Sequence, residues 1–217
     1  MNKLRAIIFD LDGTLIDSSR AIVKCVNFAL AQKGLPPAND WEIKRRIGTP
    51  LDEIFSHFTE ADPPDLVRLY REQYRRVFLE KTFLLPGVSE VLSSLKTQGY
   101  LLALATTKPR YFAEPILENL GVRHFFDAVA GAEEVERLKP APDLLHLAMS
   151  RLGSQLTETL YVGDHPVDVG AASAAKVKII CVATGFWSRG ELEKLNPTAV
   201  LESLSELPPL LRTLAER

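Results

Sequence analysis

Short apolar runs recur along the chain, each stopping at polar or small residues: Ala6–Phe9, Leu101–Ala105, Ala128–Ala130, 160–162 and 179–182. Brief runs without polar alternation suit strands buried on both faces. Between the later runs, apolar residues recur at helical spacing. Pro86-Gly87 leads into VSEVLSSLKTQG, where Val88, Val91, Leu92 and Leu95 share a face and Gly99 is the stop. Pro109 precedes RYFAEPILENLG, closed by Gly121, and Pro115 inside it predicts a kink. Pro142 precedes DLLHLAMSRLG, PVDVGAASAAK follows Val162-Gly163-Asp164, and LESLSELPPLLRTL predicts a closing helix. Strand and helix alternating in this way predict an α/β fold, a parallel sheet with helices on both faces.

One segment breaks the rhythm. From Leu15 to Thr82 no run reads as a strand and several read as helices. SRAIVKCVNFALAQKG places Ile22, Val26, Ala29 and Leu30 at helical spacing, with Ser18 or Ser19 as N-cap. NDWEIKRRIG, LDEIFSHF and PPDLVRLYREQYRRVFLE continue in the same style. The stretch is far longer than an ordinary connection. The predicted organisation is an α/β core from 1–14 and 83–217, with an inserted helical domain over 15–82.

Composition narrows the class. The 217 residues suffice for one large domain with a modest insertion. A net charge of -2 provides no basic field to recruit nucleic acid or an anionic membrane. No stretch approaches the roughly 20 apolar residues of a membrane helix. The basic start MNKLR meets an apolar run too short for a signal peptide. Cys25 and Cys181 match no ligand spacing and are expected as core residues in a reducing cytoplasm.

In open α/β sheets, ligands bind outside the carboxyl ends of the strands. The first run ends at Asp10 and Asp12; the second at Thr106, Thr107 and Lys108. The run over 160–162 leads to Asp164, with Asp168 four residues on, and Lys139 precedes APDLL. Crowded carboxylates repel one another and call for a hard cation; Mg²⁺ takes oxygen ligands and phosphate oxygens together. No Gly-rich phosphate loop ending in Lys-Ser/Thr occurs, which argues against that type of nucleoside triphosphatase. An Asp at a strand tip can act as a nucleophile beside such a metal. The residue two on points to the same side of an extended chain, so Asp12 suits a general acid and base. Gly13 permits the tight turn, and Thr14 adds a hydroxyl.

FDLDGTLIDS resembles the first motif of the haloacid dehalogenase superfamily. ALATTKPR resembles the second, RLKPAPDLL the third and YVGDHPVDVGAASAA the fourth, in order and across essentially the whole chain. The resemblance implies a Rossmann-like core with a small helical cap, as in phosphoglycolate phosphatase-like members. It implies a Mg²⁺-dependent phosphatase acting on a small phosphorylated metabolite, a phosphoglycolate-like phosphomonoester, through an aspartyl-phosphate on Asp10. Asp12 becomes the acid/base and lends its backbone carbonyl to the metal. Thr106 and Lys139 hold the phosphoryl group, and Lys139 also steadies Asp10. Asp164 ligates Mg²⁺, and Asp168 supports it directly or through water. Gly13, Thr14, Thr107 and Gly48 are implied substrate contacts. A cytoplasmic monomer or homodimer is expected.

Asp12 separates the chain from dehalogenase-like members, which lack that acid. Leu51 lies near where phosphonate-cleaving members carry a Schiff-base lysine. Sugar phosphomutases keep both acids, but GTPLDE looks more like the phosphatase version. A mutase or phosphotransferase, and a non-catalytic binding protein on the same fold, remain the alternatives. Thr107 and AAKVK depart from the family pattern, which more often has Asn or Ser, and a Gly after the alanines.

Plainer readings exist for each residue. Asp-Gly after an apolar run is also a hairpin signal. DLDG lacks the late Glu and the Gly spacing of a calcium loop. Asp168 also suits a helix cap, Thr106 and Thr107 suit strand-end backbone partners, and His165 reads as a loop residue at the site's edge. Lys44, Arg45 and Arg46 read as a solvated helix face, Arg71, Arg75 and Arg76 as surface, and Trp41 and Trp187 as packing residues.

Overall fold

A computed structural model describes residues 4–215; the start of the basic N-terminal segment, residues 1–3, lies outside them. In chain order the elements begin with strand β1 (Ala6–Phe9), strand β2 (Ile16–Asp17), helices α1 (Ser19–Gln32), α2 (Asp40–Lys44), α3 (Leu51–Phe58) and α4 (Pro63–Val77), and strand β3 (Phe83–Leu84). Then follow helix α5 (Val88–Thr97), strand β4 (Leu101–Ala105), helix α6 (Arg110–Asn119), strand β5 (Ala128–Ala130) and helix α7 (Asp143–Leu152). Strand β6 (Thr159–Gly163), helix α8 (Pro166–Ala175), strand β7 (Lys178–Val182), helix α9 (Arg189–Glu193), strand β8 (Ala199–Leu201) and helix α10 (Leu207–Ala215) complete the chain.

Six strands form a parallel sheet in the order β5-β4-β1-β6-β7-β8. Side chains alternate across each strand. Ile7 and Phe9 enter one apolar layer with Leu92, Leu95, Ile116 and Leu117 of α5 and α6. Ala6 and Ile8 enter the opposite layer with Leu144, Leu145 and Ala148 of α7 and Ala171 and Ala172 of α8. Both faces are therefore covered, which is why these strands lack polar alternation. Helices α1, α3 and α4 form a third cluster around Val26, Phe55, Leu66 and Tyr74, and Phe112 of α6 joins it from the core side.

All five expected strands and the predicted crossover helices are present. Two expectations need correction. The segment after Leu15 does contain a strand: β2 pairs antiparallel with β3 in a two-residue ribbon. A strand so short carries no period, and its partner lies far along the chain. Helix α6 runs from Arg110 to Asn119 with Pro115 in its interior. Its buried face, Phe112, Ala113, Ile116 and Leu117, is held on both sides of the proline, and that packing offsets the lost hydrogen bond. The closing helix starts later than its pattern suggests: Leu201 belongs to β8, a single 3₁₀ turn over Leu204–Glu206 intervenes, and α10 begins at Leu207. The short β8 run is recruited by pairing with β7.

Candidate active site

The site is built at the carboxyl ends of the central strands. Asp10 follows β1, and its amide extends the ladder by donating to Val162 O at 2.9 Å. Thr106 follows β4 in the same way, donating to Ala130 O at 3.1 Å. Asp164 follows β6. Asp10, Asp12, Thr14, Thr106, Lys139, Asp164 and Asp168 are all buried.

Lys139 joins two carboxylates. Its Nζ donates to Asp10 Oδ1 at 2.6 Å and to Asp168 Oδ1 at 2.9 Å. Burial works against its charge, but the two acids prevail and hold its pKa above the ordinary lysine value. Asp168 spends both oxygens on structure. Oδ1 also accepts from Tyr161 Oη at 2.7 Å, and Oδ2 accepts from the amides of Asp164 and His165 at 3.2 and 3.1 Å. Burial raises the Asp168 pKa, and Lys139 and Tyr161 overcome that and bring it below the carboxylate range. Capping and site chemistry are thus one arrangement here: Asp168 ties the start of α8 to the lysine.

Asp10 and Asp164 are held differently. Burial, only partly opposed by Lys139, pushes Asp10 up to about 7. Burial and the neighbouring acids Asp168 and Asp10 push Asp164 well above the carboxylate range, although Thr14 Oγ1 donates to its Oδ1 at 2.7 Å. One oxygen from each of Asp10, Asp164 and Asp168 falls within 4.8 Å of the others. Hard oxygen donors whose ionised forms lack sufficient counter-charge are the donor set that Mg²⁺ takes. Two glycines let the backbone pack closely against the Asp164 carboxylate. A Cβ on Gly13 or on Gly185 would overlap Asp164 Oδ2, and Gly13 also has φ +87°. Thr184 Oγ1 donates to Gly13 O at 2.7 Å and anchors that turn.

Asp12 faces elsewhere. Its side chain accepts from Ser18 Oγ and pairs with Lys108 Nζ at 3.0 Å. Lys108 also donates to Tyr74 Oη of α4 at 2.9 Å. Ser18 stands at the N-cap position of α1, yet its hydroxyl goes to Asp12 instead of capping the helix. Thr106 Oγ1 accepts from the Lys108 amide at 3.1 Å, a strand-end backbone role that also places Lys108. Thr107 Oγ1 donates to Gly48 O at 3.0 Å, linking the rim to the helical segment.

His165 occupies the same border. Its Nδ1 accepts from the Val167 amide, so Nε2 carries the proton and donates to Arg45 O at 3.1 Å. Burial holds its pKa below the usual histidine value, consistent with a neutral ring. Arg45 does not belong to a solvated face: it stacks 3.8 Å over Trp187, pairs with Glu191 at 2.9 Å and donates to Phe186 O. Trp41 is 55% exposed, its edge against Phe186, whereas Trp187 packs as expected against His165 and Arg45.

Sequence reasoning missed Ser18, Tyr74 and Tyr161 as site residues. Ser18 carried the signal of a cap, and the two tyrosines that of apolar spacing. Lys108 was visible at a strand tip, but nothing in its local pattern pointed to Asp12.

The chain was compared with known proteins once this geometry was established. Residues 7–182 match the family model of haloacid dehalogenase-like hydrolases. The chain is 36% identical over 208 residues to "Probable phosphatase IndB" of Dickeya dadantii, covering 93% of this chain and 90% of that one. It is 31% identical over 239 residues to phosphoglycolate phosphatase of Escherichia coli, covering 97% and 95%. A haloacid dehalogenase-like family hydrolase of Streptococcus pneumoniae superposes with a TM-score of 0.87 at 26% identity, covering 97% and 99%. With its four motifs gathered at one sheet edge and its family model matched over most of its length, the chain belongs to the haloacid dehalogenase-like hydrolases.

Proposed function

We propose that this protein is a Mg²⁺-dependent phosphatase that cleaves a small phosphorylated metabolite through an aspartyl-phosphate on Asp10. That it is a hydrolase of the phosphatase type rests on its family and on relatives named phosphatase and phosphoglycolate phosphatase. The observation that carries the mechanism is the Lys139 bridge between buried Asp10 and Asp168, with the buried Asp164 carboxylate close enough to share one ion with both.

In this reading Asp10 and Asp164 hold Mg²⁺, the Asp12 carbonyl adds a ligand, and Asp168 orients the set through Lys139, Tyr161 and two amides. When bound, such an ion would supply counter-charge to the carboxylates and to the phosphoryl oxygens. Lys139 fixes Asp10 Oδ1, so Oδ2 is the attacking oxygen. It forms a bond to phosphorus as the ester P–O bond breaks, and Asp12 protonates the departing oxygen. Water then attacks the aspartyl-phosphate, Asp12 takes its proton, and phosphate leaves with Asp10 restored. Thr106 and Lys139 steady the phosphoryl group. Helices α1–α4, residues 15–82, serve as the cap that excludes water, with Gly48, Thr107 and His165 at its seam. Phosphoglycolate is the nearest named substrate among the relatives.

Phosphate release from a panel of small esters, with Mg²⁺, with EDTA and with Asp10→Asn, tests this. Metal-dependent release lost by at least about 10³-fold in Asp10→Asn is expected. Interconversion of sugar phosphates without net release would favour a mutase, and no turnover of any kind would favour the binding-protein alternative.

A further inference from the structure

A cleft lies between the helical segment and the rim at Asp12. Asp12 forms part of the wall, so an occupant lies next to the group assigned above to protonate the departing oxygen. The remaining wall is largely apolar, with Ile22, Leu51 and Ile54 facing Tyr70, Tyr74 and Phe112.

Apart from the Tyr70 hydroxyl and Arg71, the polar side chains on this wall are already engaged. Lys108 serves Asp12 and Tyr74. The hydroxyl of Thr107 donates to Gly48 O, and that of Thr49 to Arg46 O at 2.9 Å. Arg71 also lines the cleft but is exposed, with its charge in water. A two-carbon acid such as glycolate must keep its carboxylate solvated or find a desolvated cation. Among the described residues, the wall supplies no uncommitted buried cation. Rings and branched carbons, by contrast, meet aromatic faces and edges on one side and aliphatic groups on the other.

From this wall we infer that the leaving group of the preferred substrate carries an apolar body, so that the substrate is the phosphate monoester of an aromatic or comparably apolar alcohol. The inference rests on the phosphatase reading above and specifies its substrate class. The P–O bond breaks, its electron pair goes to the leaving oxygen with the proton from Asp12, and the alcohol departs through the cleft.

The test compares kcat/KM for benzyl phosphate and 2-phosphoglycolate, both esters of primary alcohols. Benzyl phosphate is expected to be favoured by about tenfold or more. Leu51→Asp then lowers turnover of benzyl phosphate about tenfold relative to 2-phosphoglycolate. Leu51 is half-buried at the start of α3, where an acid suits the helix dipole, and an unchanged Tm checks that the variant keeps its fold. Preference for 2-phosphoglycolate in the native protein overturns the inference, as does an equal loss on both esters in Leu51→Asp. Thermal shift with benzylphosphonate and with phosphonoacetate, each with Mg²⁺, separates the two claims. Stabilisation by benzylphosphonate without turnover of any ester sinks the phosphatase reading and leaves the cleft assignment standing. Turnover of 2-phosphoglycolate with no response to benzylphosphonate does the reverse.

Discussion

Lys176 ends α8 in the left-handed conformation, with φ 58°. Its amide caps the helix by bonding to Ala172 O and Ser173 O. A Cβ makes this conformation costly, and glycine occupies it freely. The departure visible in AAKVK is therefore a local strain that the rest of the fold carries. Lys176→Gly is expected to stabilise the protein by about 0.5–1 kcal/mol, read as a rise in Tm of about 1–4 °C. An unchanged or lower Tm would show that the lysine makes a compensating contribution. At the same scale, Tyr161 illustrates a residue whose pattern misleads: it lies at an apolar strand position, yet its hydroxyl completes the shell of Asp168.

The elements meet through few side chains. Phe112 belongs to α6 of the core but is buried in the cluster of the helical segment, edge-on to Tyr74 at 5.1 Å and to Phe78 at 5.2 Å. Tyr74 in turn holds Lys108 against Asp12. Truncating Phe112 removes this apolar junction and leaves a cavity beneath the lysine. Phe112→Ala is expected to cost about 3–5 kcal/mol, measured by urea unfolding. It should also lower kcat more than a uniform loss of folded protein explains, because Lys108 loses its support. A destabilised variant with unchanged kcat per folded molecule would assign Phe112 to packing alone.

The molecule as a whole concentrates buried acids at one sheet edge, and that has a pH signature. Asp10, at about 7, and Asp164 bind protons more tightly when folded than when unfolded. The contribution of Asp10 is present below the unfolded carboxylate range, about pH 4, and is lost as pH rises through about 7; that of Asp164 is lost in the same direction. Asp168 has the opposite shift, and its contribution is already complete above about pH 5. The metal-free protein is thus expected to lose Tm from pH 5 to 8. Mg²⁺ needs the deprotonated acids, so the Tm it adds should grow over the same range. Asp10→Asn should flatten both trends. A Tm increment from Mg²⁺ that does not vary with pH would place the ion away from Asp10 and Asp164.

The sequence by itself determined the sheet, the crossover helices, the helical insertion and the acids and lysine at the strand tips. These are local properties: apolar run length, helical spacing, and the rule that chemistry collects at strand ends. Tertiary structure decided the rest. It recruited β2 and β8 as strands, because runs of two or three residues acquire order only from a distant partner. It turned Ser18 from a helix cap into a ligand of Asp12, drew Arg45 out of solvent onto Trp187, and gave Asp168 to Lys139 and Tyr161. Some of these contacts join residues far apart in sequence, as Arg45 and Trp187 or Lys139 and Asp168; others, as Ser18 with Asp12 and Tyr161 with Asp168, lie six or seven residues apart. No period or spacing records them, since each exists only once the sheet has brought its two partners to the same edge.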